Sequence, residues 1–209
     1  MIDMENKRIL KFYLGMFDFR QAYSPQFKIK EDEIDVVEKH ICSSFAMFVM
    51  KLNESSFKPI YLKIVDWAFS KNEQDSGANS FGRTLIVYKL VDVLVTQLKS
   101  IFVPFFGYIL DNSVSVLRGS SDANNNQMTP AQHNKLLRAV LVCLQKCFSH
   151  DLEHWINKDR FDMLLDPLVS QFDFTSDEDY EQLTQQYLMP AITQLALCVG
   201  TEVCISHPA

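Results

Sequence analysis

The sequence has no glycine-rich phosphate cradle. GxxxxGK(S/T) and GxGxxG are both absent, as are HExxH and GxSxG, so nucleotide-loop, zincin and serine-hydrolase chemistry have no signature to rest on. Only 6 glycines occur, and Gly77, Gly82 and Gly119 fall in polar stretches that read as linkers. No apolar run is long enough to cross a bilayer, since the most apolar stretch, 101–110, is about half the length a spanning helix needs. The opening MIDMENKRIL puts acidic residues before Lys7 and Arg8 and lacks the apolar core of a secretory leader. Cytoplasm and nucleus are left equally open. Positive charge is also short: 20 Lys plus Arg stand against 26 Asp plus Glu, a formal −6, which argues against a surface uniformly adapted to phosphate. Lys51, Lys58 and Lys63 offer at most a local basic strip, and solvated helix sides explain them more simply. The 5 cysteines are an odd number, mostly inside apolar helical runs, which fits buried thiols better than a disulfide framework.

Apolar side chains are plentiful: they make up 47% of 209 residues, with 16 Phe against 2 Trp. That length supports a real core without metals or disulfides. Ile34, Val37, Ile41, Phe45, Phe48 and Leu52 recur at steps of three and four, as do Phe57, Ile60, Tyr61, Ile64, Val65 and Ala68 after a polar turn. Two such stripes a few residues apart predict an antiparallel helical hairpin. Further helices are expected over about 4–23, with Phe12 among its contact residues, over 31–52 and 55–69, and from Arg83 onward. Pro59 is read as part of an opening turn, and a break is expected between Lys99 and Pro104. Thr129, Pro130 and Gln132 form a start signal of cap hydroxyl, first-turn proline and capping-box partner. Pro167 is expected to bend one helix and Pro190 to interrupt the last, which the acidic string 175–179 opens. Segments 70–82 and 118–128 read as flexible surface loops, and 1–209 as a single helical-repeat domain. The expected fold class is all-α, with antiparallel helical hairpins stacked as a HEAT-like α-solenoid.

Possible chemistry is thin. Cys143, Cys147, His150 and His154 have suggestive spacings, yet on one helix they span about 16 Å, too far for four ligands of one zinc. Cys42 and His40, two apart on a helix, point in different directions. Cys198 and Cys204 lack a basic partner, and Asp159, Asp162 and Asp166 read as a solvated flank. Phe102, Phe105 and Phe106 read as core and not as a base-stacking platform. Trp67, at the end of a helix, reads either as a ring packed across a repeat junction or as a partner-facing anchor.

One family resemblance runs through these elements. The run from Lys51 to Ala68 resembles K-L-x-E-x-x-F-K/R-P-x-F/Y-x-K/R-x-x-D/E-W-A, a pattern of the C-terminal region of the large HEAT-repeat protein of the small-subunit processome. Tyr88, Lys89, Leu90, Asp92, Leu98, Lys99, Phe102 and Phe106 are similar to that family's following helices. Cys143, Leu144, Lys146, Cys147 and Phe148, then Lys158 to Phe161, Asp162, Leu165, Pro167 and Leu168, keep its order. The core of the resemblance is about 33–171. It implies a fragment from the end of a much longer protein, while the opening methionine is equally compatible with a chain complete as it stands.

The resemblance implies a noncatalytic scaffold without cofactor or metal, acting in nucleolar small-subunit ribosome biogenesis and pre-rRNA processing, with support of rRNA transcription. Its implied partners are processome proteins, with precursor rRNA and the small nucleolar ribonucleoprotein met indirectly or through a local basic strip, and no membrane. Lys58, Lys63, Asp66 and Trp67 are the candidate partner interface. The alternative is a helical-repeat adaptor for transport or signalling complexes outside ribosome assembly.

Overall fold

The polar turn after Val49 is where the first hairpin reverses. The computed structural model describes residues 4–22, 26, 28–70, 77–119, 128–173 and 180–205, and among them no strand occurs. In chain order the helices are α1 (Met4–Phe17), α2 (Phe19–Ala22), α3 (Glu31–Val49), α4 (Glu54–Phe69), α5 (Gly77–Leu98), α6 (Val103–Phe106), α7 (Leu110–Leu117), α8 (Pro130–Ser149), α9 (Lys158–Val169), α10 (Tyr180–Leu183) and α11 (Met189–Ile205). The described residues through Gln97, with 128–132, cluster as one compact unit; 98–119 and the described residues from His133 onward form a second.

In the first unit, α3 opens with Glu31, Asp32 and Glu33, negative charges that suit the amino end of a helix. Glu33 reaches back to accept from the Lys30 amide at 3.2 Å. Asn53 caps α4, its side chain accepting from the Ser56 amide at 2.9 Å. The α1–α2 strand of chain runs antiparallel to α3: Tyr13 packs on Phe45 and Phe48, Phe17 on Phe45, and Arg20 reaches Asp35 and Glu38. Ile41, Cys42 and Phe45 of α3 and Ile60, Tyr61 and Ile64 of α4 are buried, as the two stripes require. Within α5, Leu85, Ile86, Val87, Tyr88, Leu90, Val91, Leu94 and Val95 are buried around most of the helix's girth, so α5 is a central helix, with Arg83, Lys89 and Asp92 half-buried and Thr96 and Gln97 exposed near its end.

In the second unit, like helices of successive hairpins lie side by side. Arg138 and Phe148 of α8 meet Tyr187 and Cys198 respectively, so α8 and the last helical stretch run in the same direction. The Gln171 side chain, just past α9, donates to the Leu117 carbonyl at the end of α7 and to the Pro167 carbonyl at 2.9 Å. Parallel placement of equivalent helices is what stacked antiparallel hairpins produce. The fold is therefore all-α, with hairpins stacked in the manner of a HEAT-like α-solenoid.

The local signals can be checked one by one. Thr129 and Gln132 form the capping box, with the Thr129 amide donating to Gln132 Oε1 at 2.9 Å and the Gln132 amide to Thr129 Oγ1 at 3.3 Å. The break before Pro104 is present: α5 ends at Leu98, Lys99 turns to φ 51°, and Pro104 lies in the opening turn of α6. Phe102, Phe105 and Phe106 are core. Five expectations need correction. The first helix stops at Phe17 and resumes after a one-residue turn at Asp18, whose amide still bonds the Leu14 carbonyl at 3.3 Å and whose carboxylate receives Arg83. Phe12 is 62% exposed and supplies no core contact. Pro59 sits deeper than an opening turn, since the first i→i−4 bond of α4 is already closed by Phe57, so the Ser55 carbonyl loses an intrahelical donor. Helix α5 begins at Gly77 and takes in 77–82, and Gly82 leaves room for Gln21: a Cβ there would stand 2.6 Å from Gln21 Nε2.

Pro190 does not interrupt the last helix. A π-turn over Thr184–Leu188 precedes it, and the widened turn accommodates both the proline ring and the missing amide before α11 continues. Residues 71–76, 120–127 and the acidic string 175–179 lie outside the described residues.

Candidate interaction surface

The most densely charged part of the first unit is a cluster that joins three helices. Glu38 lies on the buried side of α3, only 1% exposed. Arg20 grips its carboxylate with two bonds, Nε to Oε1 at 2.8 Å and Nη2 to Oε2 at 2.9 Å, and Lys89 Nζ donates to Oε2 at 2.5 Å. Asp35 accepts from the same two cations, at 2.7 Å from Arg20 and 2.6 Å from Lys89, and Glu31 closes on Arg20 from the rim. Burial by itself weakens the Arg20 charge, but bonding and attraction from Glu38, then Glu31, outweigh it and hold the guanidinium pKa above its ordinary value. Sequence reading missed this cluster. Its signal is a carboxylate standing on an apolar stripe between Ile34 and Cys42.

Next to it, Trp67 is half-buried at the end of α4. Its ring lies 6.2 Å from that of Phe17, and the Arg83 guanidinium sits 5.0 Å from its centroid. Arg83 in turn donates to Asp18 at 2.9 Å. Lys63 and Asp66 are exposed, and Asp66 accepts from the Ser70 hydroxyl at 2.9 Å. Positions 63, 66 and 67 share one side of α4 by their three- and four-residue spacing; exposed Lys58 lies round the helix from them. The structure thus groups three of the four sequence-nominated residues.

In the second unit, 150–157 forms a braced loop. The Asp151 carboxylate accepts from the Trp155 and Ile156 amides, both at 2.8 Å, and His154 takes φ 53°. Arg160 lies 4.4 Å from the Trp155 ring centroid and donates to the Trp155 carbonyl, while Phe106 meets the indole edge-on at 6.4 Å. A Cβ on Gly107 would come within 3.2 Å of that indole, so the glycine admits it.

The thiols are placed as packing groups. Cys42 is buried, and burial first, then Glu38, pushes its thiol pKa up; His40 is exposed on another side of α3. Cys143 and Cys147 are buried on the core side of α8, which ends at Ser149, and His154 is exposed in the loop beyond. Burial, then Asp151, raises the Cys198 thiol to about 11, and it donates to the Phe148 carbonyl at 3.3 Å. The Cys204 side chain lies outside the described residues. Among the described residues no group of three His, Cys, Asp or Glu side chains could hold a metal ion, and no helix is long and apolar enough to cross a membrane.

Comparison with known proteins assigns this arrangement. A family model, the BP28CT (NUC211) domain, matches residues 2–156. The chain belongs to the BP28CT family. That match takes in α1 to α8 and the braced loop up to Ile156. The BP28CT chain is 26% identical over 309 residues to the HEAT repeat-containing protein 1 homolog of Dictyostelium discoideum, covering 99% of this chain and 14% of that protein. It is 27% identical over 203 residues to human HEAT repeat-containing protein 1, covering 93% and 9% respectively. It is 29% identical over 203 residues to U3 small nucleolar RNA-associated protein 10 of Aspergillus terreus, covering 95% and 11%. The chain spans between 9% and 14% of the length of these relatives. No solved structure matches it.

Proposed function

We propose that this BP28CT chain is a noncatalytic helical docking scaffold in nucleolar small-subunit ribosome biogenesis and pre-rRNA processing, with a supporting part in rRNA transcription. The observation that carries the reading is the family match over 2–156, together with the likeness to U3 small nucleolar RNA-associated protein 10. The chemistry agrees with it. The described thiols are core or hydrogen-bonded, the cations of the strongest charge cluster are paired internally, and rigid helices hold exposed side chains in fixed positions, which is what docking requires. Its direct partners are processome proteins. Precursor rRNA and the small nucleolar ribonucleoprotein are met through those proteins or through a local basic strip, and no cofactor takes part. The outer side of α4, with Lys63, Asp66 and the open edge of Trp67, and with Lys58 beyond it, is one face for a partner.

Affinity purification of the tagged protein, beside a version lacking 33–171, with and without ribonuclease, tests this. Selective loss of a few processome proteins that normally survive ribonuclease is the expected result. Unchanged recovery of every processome protein and of precursor rRNA overturns docking as the task of this chain.

A further inference from the structure

Helix α1 turns an unusual face outward. Met4, Arg8, Lys11 and Gly15 follow one another at spacings of four, three and four, with Phe12 beside Lys11 and Lys7 beside Arg8, and all six are exposed. Met4 is 72% and Phe12 62% exposed, so two of the largest apolar groups of the helix remain in water. Phe12 meets the Tyr13 ring edge-on at 5.5 Å, and the Tyr13 hydroxyl bonds Ser44 of α3 at 2.8 Å, one helical turn before Met47, itself 73% exposed. Among the described residues no ion pair takes up Lys7, Arg8 or Lys11, in contrast to Arg20, Arg83 and Lys89. Among the described residues of α1 the only acid is Glu5, against the three cations Lys7, Arg8 and Lys11, in a chain of net charge −6.

Gly15 supplies an independent sign. It lies inside a regular helix with no positive φ, so the backbone does not call for glycine, and an added Cβ would meet nothing within 4 Å, so packing does not call for it either. A glycine that neither conformation nor packing explains, on an outward helix face beside exposed Phe and Met, fits the close approach of another backbone.

We propose that the outward face of α1 receives an amphipathic helix of a partner protein, with apolar residues seated on Met4 and Phe12, its backbone crossing near Gly15, and Asp or Glu side chains on its flanks meeting Lys7, Arg8 and Lys11. This deepens the scaffold reading and rests on it. Spacing of apolar anchors at i, i+3, i+4 and i+7 is how a helix reads such a surface. Nucleic acid suits the face less well. Met4 offers a base nothing to stack on, and the overall negative charge opposes a polyanion. A second copy in a two-fold contact would bring the three cations against themselves.

The test is photo-crosslinking in cells on the full-length protein, with Phe12→benzoylphenylalanine, an Asp162→benzoylphenylalanine control on α9, and sequencing of the crosslinked segment. The expected product is one protein segment of helical apolar periodicity with acidic flanks. Its synthetic peptide binds the purified protein, and binding falls at least tenfold in Lys7→Glu/Lys11→Glu and in Gly15→Gln, neither of which unfolds at a lower urea midpoint than the wild type. Crosslinks to RNA, to another copy, or to a segment without acidic flanks overturn the proposal, as does a yield no higher than at position 162 or peptide binding unchanged in the variants. The two readings fail separately. An acidic helix from a protein that does not copurify with precursor rRNA sinks the ribosome-biogenesis reading and leaves this inference standing; normal processome retention without a crosslink at position 12 does the reverse.

Discussion

Replacing Glu38 with Gln removes one charge and almost no volume from the cluster that ties α2, α3 and α5. The side chain is 1% exposed, Arg20 is 11% exposed and Lys89 21%, so water does little to replace what is lost. Arg20 loses a two-bond grip on a carboxylate and Lys89 a 2.5 Å partner, while the new amide group turns a donor toward two cations. Breaking a buried pair from one side costs about 3–5 kcal/mol. The low end, about 3 kcal/mol, applies because Asp35 still accepts from both cations and Glu31 from Arg20. For a chain of this size that lowers Tm by about 6–12 °C. Urea unfolding followed by circular dichroism measures it, and hydrogen exchange locates the loss in α2, α3 and α5. The partner experiment removes all three buried members, Arg20→Leu/Glu38→Met/Lys89→Met, leaving Asp35 and Glu31, 37% and 59% exposed, to be solvated. That variant should lose less than the single one. A Glu38→Gln loss under about 1 kcal/mol, or a triple variant weaker than the single one, refutes the view of the cluster as a desolvated unit.

Gly15→Ala should stabilise the first unit by about 1 kcal/mol, since the methyl group meets nothing and glycine is a poor helix former; an unchanged or lower urea midpoint contradicts this. Asp151→Asn should cost about 1–2 kcal/mol, because one carboxylate serves two amides at 2.8 Å, and Trp155 fluorescence should shift to the red as its brace loosens. Burial holds His133 below its ordinary pKa, so the folded state binds its proton less readily than the unfolded state. The stability that follows is present above the unfolded histidine value of about 6.5 and is lost as pH falls below it. His133→Gln should therefore flatten the acid limb of a plot of urea midpoint against pH, and identical limbs would show that the group does not titrate as described.

What the sequence made legible was whatever a few neighbouring residues decide. The capping box at Thr129 and Gln132, the break before Pro104 and the paired stripes of α3 and α4 are each set within a turn or two, and each stands where its spacing puts it. The misreadings come from partners far along the chain. Asp18, at the turn between α1 and α2, binds Arg83, 65 positions away, and no local propensity announces that contact. Gly82 looks like linker by composition, yet it is a helix residue whose missing Cβ makes room for Gln21. Pro190 obeys the rule that a proline removes a bond, but the π-turn before it takes up the defect without ending the helix.

Surface residues are harder to read than core residues for a reason visible in Phe12 and Trp67. Periodicity sorts side chains by the side of a helix they occupy, and Phe12 lies close enough to the α1 stripe to be counted as core although nothing covers it. Trp67 was open to either reading; its contacts with Phe17 and Arg83 account for the inner part of the ring and leave an exposed edge. The sequence shows that cations and acids are present, and the structure shows which of them cancel. Arg20, Lys89 and Arg83 are consumed within the first unit by Glu38, Asp35, Glu31 and Asp18, whereas among the described residues no ion pair takes up Lys7, Arg8 or Lys11. Net charge therefore misjudges this chain as a binding surface: much of its acidity in the first unit is spent on internal ion pairs, and the charge it presents on α1 has the opposite sign.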